Sequence, residues 1–158
     1  MTTQTKTPDF VITRVFDGSP ELLWKCFTEP ERMKEWFGPK GSVVVAAKMD
    51  MRVGGKYRWR WRSEEGGQEF GFSGEMLEVV PHSRIVHTQI YDAGDLGVSM
   101  GKEATVVTVT FDETRGITSV TTTIRYASKE DRDAAFSTGM TDGMEMNYKL
   151  LDEVLRSI

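Results

Sequence analysis

The sequence predicts an α+β fold, a curved antiparallel sheet of six to seven strands wrapped on a long C-terminal helix, with two short helices after the first strand. Three features carry this expectation. Residues 56–62 alternate Lys56, Arg58, Arg60 and Arg62 with Tyr57, Trp59 and Trp61, the period of two that marks a strand with one wet and one buried face. Met140, Met144, Tyr148, Leu151 and Leu155 recur at helical spacing and draw a single apolar stripe. The element order runs strand, helix, helix, six strands, helix, which places the helices on one face of an antiparallel sheet.

At 158 residues the chain has the size of one domain. Residues 1–8 are polar and threonine-rich and are expected as a flexible tail, leaving 9–158 as a single domain. Asp9–Phe16 sets Phe10, Ile12 and Arg14 against Val11, Thr13 and Val15 and reads as the first strand. Ser19-Pro20-Glu21 then opens a helix over Pro20–Thr28: a hydroxyl cap, a proline at the first helical position and a carboxylate near the positive end. Leu23, Trp24 and Phe27 form its apolar side, with Cys26 beside them as a small buried hydrophobe. Pro30 ends it. Residues 31–37 are expected as the second short helix, with Met33, Trp36 and Phe37 on one face and Gly38-Pro39 as the break.

The β-branched run Ser42–Met49 is the second strand, and Arg52-Val53-Gly54-Gly55 turns into the third. A hairpin loop at Glu64-Glu65-Gly66-Gly67 pairs Arg62 with Glu69, Lys56 with Glu75, Trp61 with Phe70, Trp59 with Phe72, and sets Gly74 under the Tyr57 ring. A slip of one residue would oppose aromatics and charges. Val80-Pro81-His82-Ser83 leads to the fifth strand, 84–91. Drawn without a bulge, that hairpin carries Ile85, His87, Gln89 and Tyr91 inward; Glu78 falls on the inner face unless a bulge turns it out. Residues 92–102 hold Gly94, Gly97 and Gly101 and are expected as a mobile loop. Residues 103–112 and 117–126 form the last hairpin, Thr105, Val107, Val109 and Phe111 facing Val120, Thr122 and Ile124. A helical turn or two over 129–135 precedes the final helix, 138–157. Its length of roughly 30 Å matches a strand of about ten residues, so Met140, Met144 and Tyr148 are expected above Trp59, Trp61 and Phe72.

Composition narrows the function. Hydrophobic residues make up 39% of the chain and charged ones 28%, which excludes both a disordered and a membrane-embedded class. No run approaches the ~18 apolar residues of a membrane span, and nothing in residues 1–8 targets or anchors the chain. A net charge of −4 with both signs interleaved provides no nucleic-acid footprint and no polybasic membrane patch. The single cysteine excludes an internal disulfide and fits a reducing compartment, the cytoplasm. Two separated histidines and one cysteine give no metal-ligand spacing, and neither a phosphate-cradling glycine loop nor a dinucleotide fingerprint occurs. No metal and no cofactor are expected.

The inward aromatics Trp59, Trp61, Phe70 and Phe72, with Trp36 and Phe37, either fill the core or line a ligand pocket. Met76, Met100, Met140 and Met144 either add an adaptable wall or pack as ordinary core. Val107, Val120 and Thr122 complete the candidate lining. His87 is the one histidine directed inward, and with Tyr148 it is a candidate proton-transfer group. No order of serine and aspartate around it makes a triad, so a hydrogen-bonded wall residue is the default role. Glu75, facing Lys56, reads as half of a surface ion pair.

Several segments also resemble a known family. They are Leu23-Trp24-Lys25-Cys26-Phe27-Thr28-Glu29-Pro30-Glu31-Arg32 with Trp36-Phe37-Gly38-Pro39; Val53-Gly54-Gly55; Gly74-Glu75 leading to Val79-Val80-Pro81; and Gly139-Met140 with Gly143-Met144. Together they resemble the START-like helix-grip (SRPBCC) superfamily, in the branch named after the C-terminal domain of the activator of heat shock protein 90 ATPase, over nearly the whole chain. The resemblance implies a deep cavity between helix and sheet that takes lipids, polyketides, hormones or other apolar molecules. It implies no single activity, since the branch includes co-chaperone domains of the stress response, proteins resembling polyketide cyclases and drug-resistance proteins. Three readings are therefore open: a non-catalytic binder of a small hydrophobic or aromatic molecule; a cyclase-, dehydratase- or hydrolase-like enzyme in which His87 or Tyr148 moves a proton; and a co-chaperone-like module. The eukaryotic co-chaperone engages its chaperone in part through a separate N-terminal domain for which this chain has no room, which weighs against the third. Monomer and homodimer are both open.

Overall fold

The protein's structure, a computed structural model, describes residues 2–4, 9–92, 105–137 and 139–158. Its strands are β1 (Thr2–Gln4), β2 (Asp9–Phe16), β3 (Ser42–Met49), β4 (Lys56–Ser63), β5 (Glu69–Val80), β6 (Arg84–Asp92), β7 (Thr105–Thr114) and β8 (Ile117–Arg125). The helices are α1 (Pro20–Thr28), α2 (Pro30–Met33), α3 (Lys129–Phe136) and α4 (Met140–Ser157). The strands pair antiparallel in the order β1-β2-β8-β7-β6-β5-β4-β3. With its helices gathered on the inner face, this is the expected α+β helix-grip architecture.

Seven of the eight strands among the described residues are those read from the sequence. The eighth lies within the stretch expected as a tail, where Thr2, Thr3 and Gln4 pair with Ile12, Val11 and Phe10 along the free edge of β2. An open row of backbone donors and acceptors recruits any extended segment within reach, and threonine suits that conformation. The loop expected over 92–102, together with Met100 and Thr138, falls outside the described residues apart from Asp92.

The β4–β5 register is the predicted one at all five named positions, from Lys56↔Glu75 to Arg62↔Glu69. Likewise, Val107↔Ile124, Val109↔Thr122 and Phe111↔Val120 face each other across β7 and β8. The hairpin drawn without a bulge requires correction. β5 carries an extra residue between Met76 and Glu78, and Leu77, 44% exposed, is the one squeezed out. That bulge keeps Met76 opposite His87 and Val79 opposite Ile85 on the concave face. It sends Glu78 outward, where its carboxylate accepts from Arg84 Nε at 3.1 Å. A second bulge lies in β3 at Val45.

The second helix is also shorter than residues 31–37. α2 is one turn, Pro30–Met33, without a side-chain cap at Glu29. Past it the chain tightens: the Trp36 and Phe37 N–H groups both donate to the Met33 carbonyl, at 3.1 and 2.7 Å. Gly38, at φ +129°, then turns the backbone away. Trp36 and Phe37 thus sit on a turn, and their one-face spacing in the sequence imitated a helix.

α1 is capped as read, with Ser19 Oγ accepting from Leu22 N at 3.2 Å. α4 lies over the β2–β8 side of the sheet. Arg14 fastens it there, donating from Nη1 and Nη2 to Asp152 at 2.9 and 2.8 Å and from Nη2 to Glu145 at 3.0 Å, while its guanidinium carbon stands 5.0 Å from the Phe16 ring centre. Tyr148, Leu151 and Leu155 are buried beneath the helix.

Candidate functional site

The aromatic ladder of β4 and β5 forms one wall. Alternation puts Trp59 and Trp61 on the same face, rings 5.7 Å apart and nearly parallel at 19°. Phe70 continues the stack on Trp61 at 5.9 Å and 23°, and Phe72 meets Trp61 edge-on at 5.9 Å. Phe37, held out by the Gly38 turn, sits edge-on to both indoles at 5.4 and 5.3 Å. Tyr148 was expected over this ladder as well. Tyr148 instead packs edge-on to Phe16 at 5.3 Å and tilted against Trp36 at 6.3 Å.

The next wall segment is polar at its tips. Tyr57 Oη and His87 Nδ1 converge on the Thr88 carbonyl, at 2.6 and 2.9 Å, and their rings meet edge-on at 4.9 Å. A carbonyl only accepts, so Nδ1 carries the proton and Nε2 is left as an acceptor. Burial pushes the His87 pKa below its ordinary 6.5 against the opposing bond to Thr88, so the neutral ring is favoured at pH 7. Burial pushes the Tyr57 hydroxyl well above its ordinary range. Gly74 opposite Tyr57 leaves room for the ring as expected: a Cβ there would stand 2.7 Å from Tyr57 Cε1.

Beneath α4, the Tyr148 and Thr122 hydroxyls lie 3.5 Å apart, and burial raises the Tyr148 pKa, keeping the phenol protonated. Tyr126 donates to Met140 Sδ at 3.4 Å, and burial raises its pKa to about 12. The two candidate proton-transfer groups have separate neighbours: His87 meets Tyr57 and Thr88, and Tyr148 meets Phe16, Trp36 and Thr122. Among the described residues no three His, Cys, Asp or Glu side chains gather to hold a metal, and no helix is long and apolar enough to cross a membrane.

Accessibility divides the predicted residues. Trp36, Trp59, Trp61, Met76, Val107, Val120, Thr122 and Tyr148 are buried, whereas Phe37, Phe72, His87, Met140 and Met144 are only half-buried although they belong to the concave side. Gln89 and Tyr91, inward by register, are half-buried too. The inner face is therefore closed over β2, β8 and β7 and partly accessible over β5, β6 and the first turns of α4. An open cleft of about 240 Å³ adjoins the ladder at the rim, lined by Pro39, Lys40, Gly41, Ser42, Ser63, Gln68 and Phe70. Sequence reasoning missed the Arg14 clamp and the Thr88 carbonyl. The clamp had a signal: an inward arginine needs anions, and Glu145 and Asp152 lie seven apart on one side of the final helix.

The profile of the family described as "Activator of Hsp90 ATPase homolog 1-like protein" matches residues 17–156. The chain belongs to that family. This Activator of Hsp90 ATPase homolog 1-like chain is 26% identical to a protein of known crystal structure from Rhodobacter sphaeroides, with a TM-score of 0.90 over 100% of this chain and 99% of that one. A protein from Chromobacterium violaceum is 25% identical, with a TM-score of 0.78 over 93% and 96%. CalU16 from Micromonospora echinospora is 21% identical and shares the fold, with a TM-score of 0.65 over 94% of this chain and 74% of CalU16. Among curated proteins the search found no match.

Proposed function

We propose that this chain binds a small hydrophobic or aromatic molecule on the concave face of its sheet, without turning it over, in the cytoplasm. The observation carrying this reading is the split in accessibility. A domain core that served only stability would bury Phe72, Tyr91, Met140 and Met144 as fully as Val107 and Val120, yet they are half-buried beside a wall of stacked rings. The family's START-like fold supports the same reading, and neither a nucleic acid nor a chaperone is needed as partner. Native mass spectrometry of freshly purified protein is expected to show a co-purified small molecule and the subunit count. Fatty acids, aromatic polyketides and sterols are then expected to raise the melting temperature selectively. A bare mass with no response to any of the three classes overturns the reading. The enzymatic alternative rests on His87, whose Nε2 is the acceptor nitrogen once Nδ1 donates to the Thr88 carbonyl; turnover that survives both His87→Ala and Tyr148→Phe removes those two roles.

A further inference from the structure

We infer a second binding site, in the rim cleft rather than on the concave face, that takes a small aromatic carboxylate: its ring against Phe70 and its carboxylate beside Lys40. The cleft, of about 240 Å³, lies between residues 39–42, which lead into β3, and the hairpin that joins β4 to β5. It opens at the surface, and Phe70 in its wall is half-buried, so a ligand enters from solvent and the core stays in place.

Hydrogen bonds fix the walls on both sides. Glu64 N–H donates to the Gly41 carbonyl at 2.9 Å and ties the loop to the hairpin. Within the hairpin, Ser63 N–H donates to the Gln68 carbonyl at 2.8 Å and Gly67 N–H to the Ser63 carbonyl at 2.9 Å. Within the loop, Ser42 Oγ donates to the Pro39 carbonyl at 2.6 Å. A cleft held in this way is formed before its ligand arrives and costs little to order.

The lining sets the chemistry. Lys40 is the one charged residue in it, and among the described residues no carboxylate pairs with its ammonium group. Glu64 and Glu65, on the adjoining turn, are exposed and stand outside the lining. The Gln68 amide is folded against the turn, since a Cβ at Gly66 would stand 2.1 Å from its Oε1, and with the Ser63 hydroxyl it offers neutral donors and acceptors. Phe70 stacks on Trp61 at 5.9 Å and 23°, so a flat ring in the cleft meets the end of an aromatic stack. A cation without an acid, two neutral polar groups and a ring together favour an anion with a flat apolar body. The volume lies below the roughly 300 Å³ at which sites for drug-sized molecules begin, which limits that body to one or two rings.

The probes are 2-naphthoate and 2-naphthamide, alike in shape and different in charge, titrated into the full chain and followed by 1H–15N NMR. Naphthoate is expected to move the backbone amide signals of Gly41, Ser42, Ser63 and Gln68 and to leave those of Tyr91, Met144 and Tyr148 in place. At low salt it is expected to bind up to about fivefold more tightly than naphthamide, the range of an exposed ion pair, with the preference fading as salt rises. In Lys40→Met the ratio is expected to fall to about one. The signal map is read on the unsubstituted protein, so it stands even if that variant fails to fold. Equal binding of the two probes, a ratio that survives Lys40→Met, or binding of neither overturns the inference and leaves the concave-face reading to its own test. Signals that move only at Tyr91, Met144 and Tyr148 overturn it too, and favour the concave face.

Discussion

Gly38→Ala is expected to be among the most damaging single-methyl changes in the protein. Gly38 sits at φ +129°, a backbone region L residues rarely adopt, and forcing alanine there costs roughly 1–3 kcal/mol. A Cβ would also stand 2.3 Å from Trp61 Nε1, 2.9 Å from Cε2 and 3.1 Å from Cδ1. Trp61 cannot withdraw, because it is held between Trp59 and Phe70 with Phe37 on its edge. Overpacking of that kind adds about 1–3 kcal/mol. The two contributions come to about 4 kcal/mol, and at ~2–4 °C per kcal/mol for a domain of this size the melting temperature is expected to fall by ~8–16 °C. Gly41→Ala is the internal control, with φ +81° but nothing within 4 Å of its added Cβ, so it bears the backbone part alone. Thermal unfolding followed by far- and near-ultraviolet circular dichroism measures both. If Gly38→Ala costs no more than Gly41→Ala, the contact between the turn and the indole is not as described, and the placement of Phe37 over the ladder goes with it.

Arg14→Met keeps the apolar stem but removes the charge-assisted bonds to Asp152 and Glu145. With side-chain exposures of 20%, 28% and 41%, and after discounting for solvent screening, a loss of about 2 kcal/mol is expected by denaturant titration. A change within 0.5 kcal/mol would mean the clamp is ornamental. Burial depresses the His87 pKa in the folded state, so unfolded protein binds the proton more readily: this contribution is complete above pH ~6.5 and is lost as pH falls toward the folded value, with a slope of at most ~1.4 kcal/mol per pH unit. His87→Gln is expected to flatten the stability profile between pH 7 and 5; coincident profiles refute the assignment. Cys26 is fully buried, with a thiol pushed up chiefly by desolvation, so a thiol reagent at pH 8 is expected to label it only at the rate of unfolding. Prompt stoichiometric labelling of native protein would show that α1 opens readily.

The strand register was legible because two independent patterns agreed. On β4 and β5 the charges fall opposite charges and the rings opposite rings, so one alignment satisfies both faces. Where a single pattern was available the reading went astray. Met33, Trp36 and Phe37 share a helical face on paper, but Gly38 and Pro39 leave too few residues for the helix to propagate, and those rings ride on a turn. The bulge at Leu77 was invisible from composition, though an inward Glu78 was the local conflict that it resolves. Phe37 on the tryptophans and Arg14 on α4 depend on how α1, the turn and the helix cross the sheet. Neither contact can be placed from the periodicity of one segment alone, although the pair Glu145 and Asp152 offered the clamp a partial signal.

The two ends of the sheet bear on how the protein behaves in concentrated solution. One outer strand, β1, is three residues long, and the other, β3, is interrupted at Val45 by a bulge and carries Lys48 near its end. Short, kinked or charged borders make poor templates for another chain's backbone. Self-association by strand addition is thereby discouraged at both borders, so copies that meet through these edges should part again rather than grow into fibres. The weaker guard is β1: removing the first four residues would lay bare one side of β2, a border with Phe10, Ile12 and Phe16 behind it.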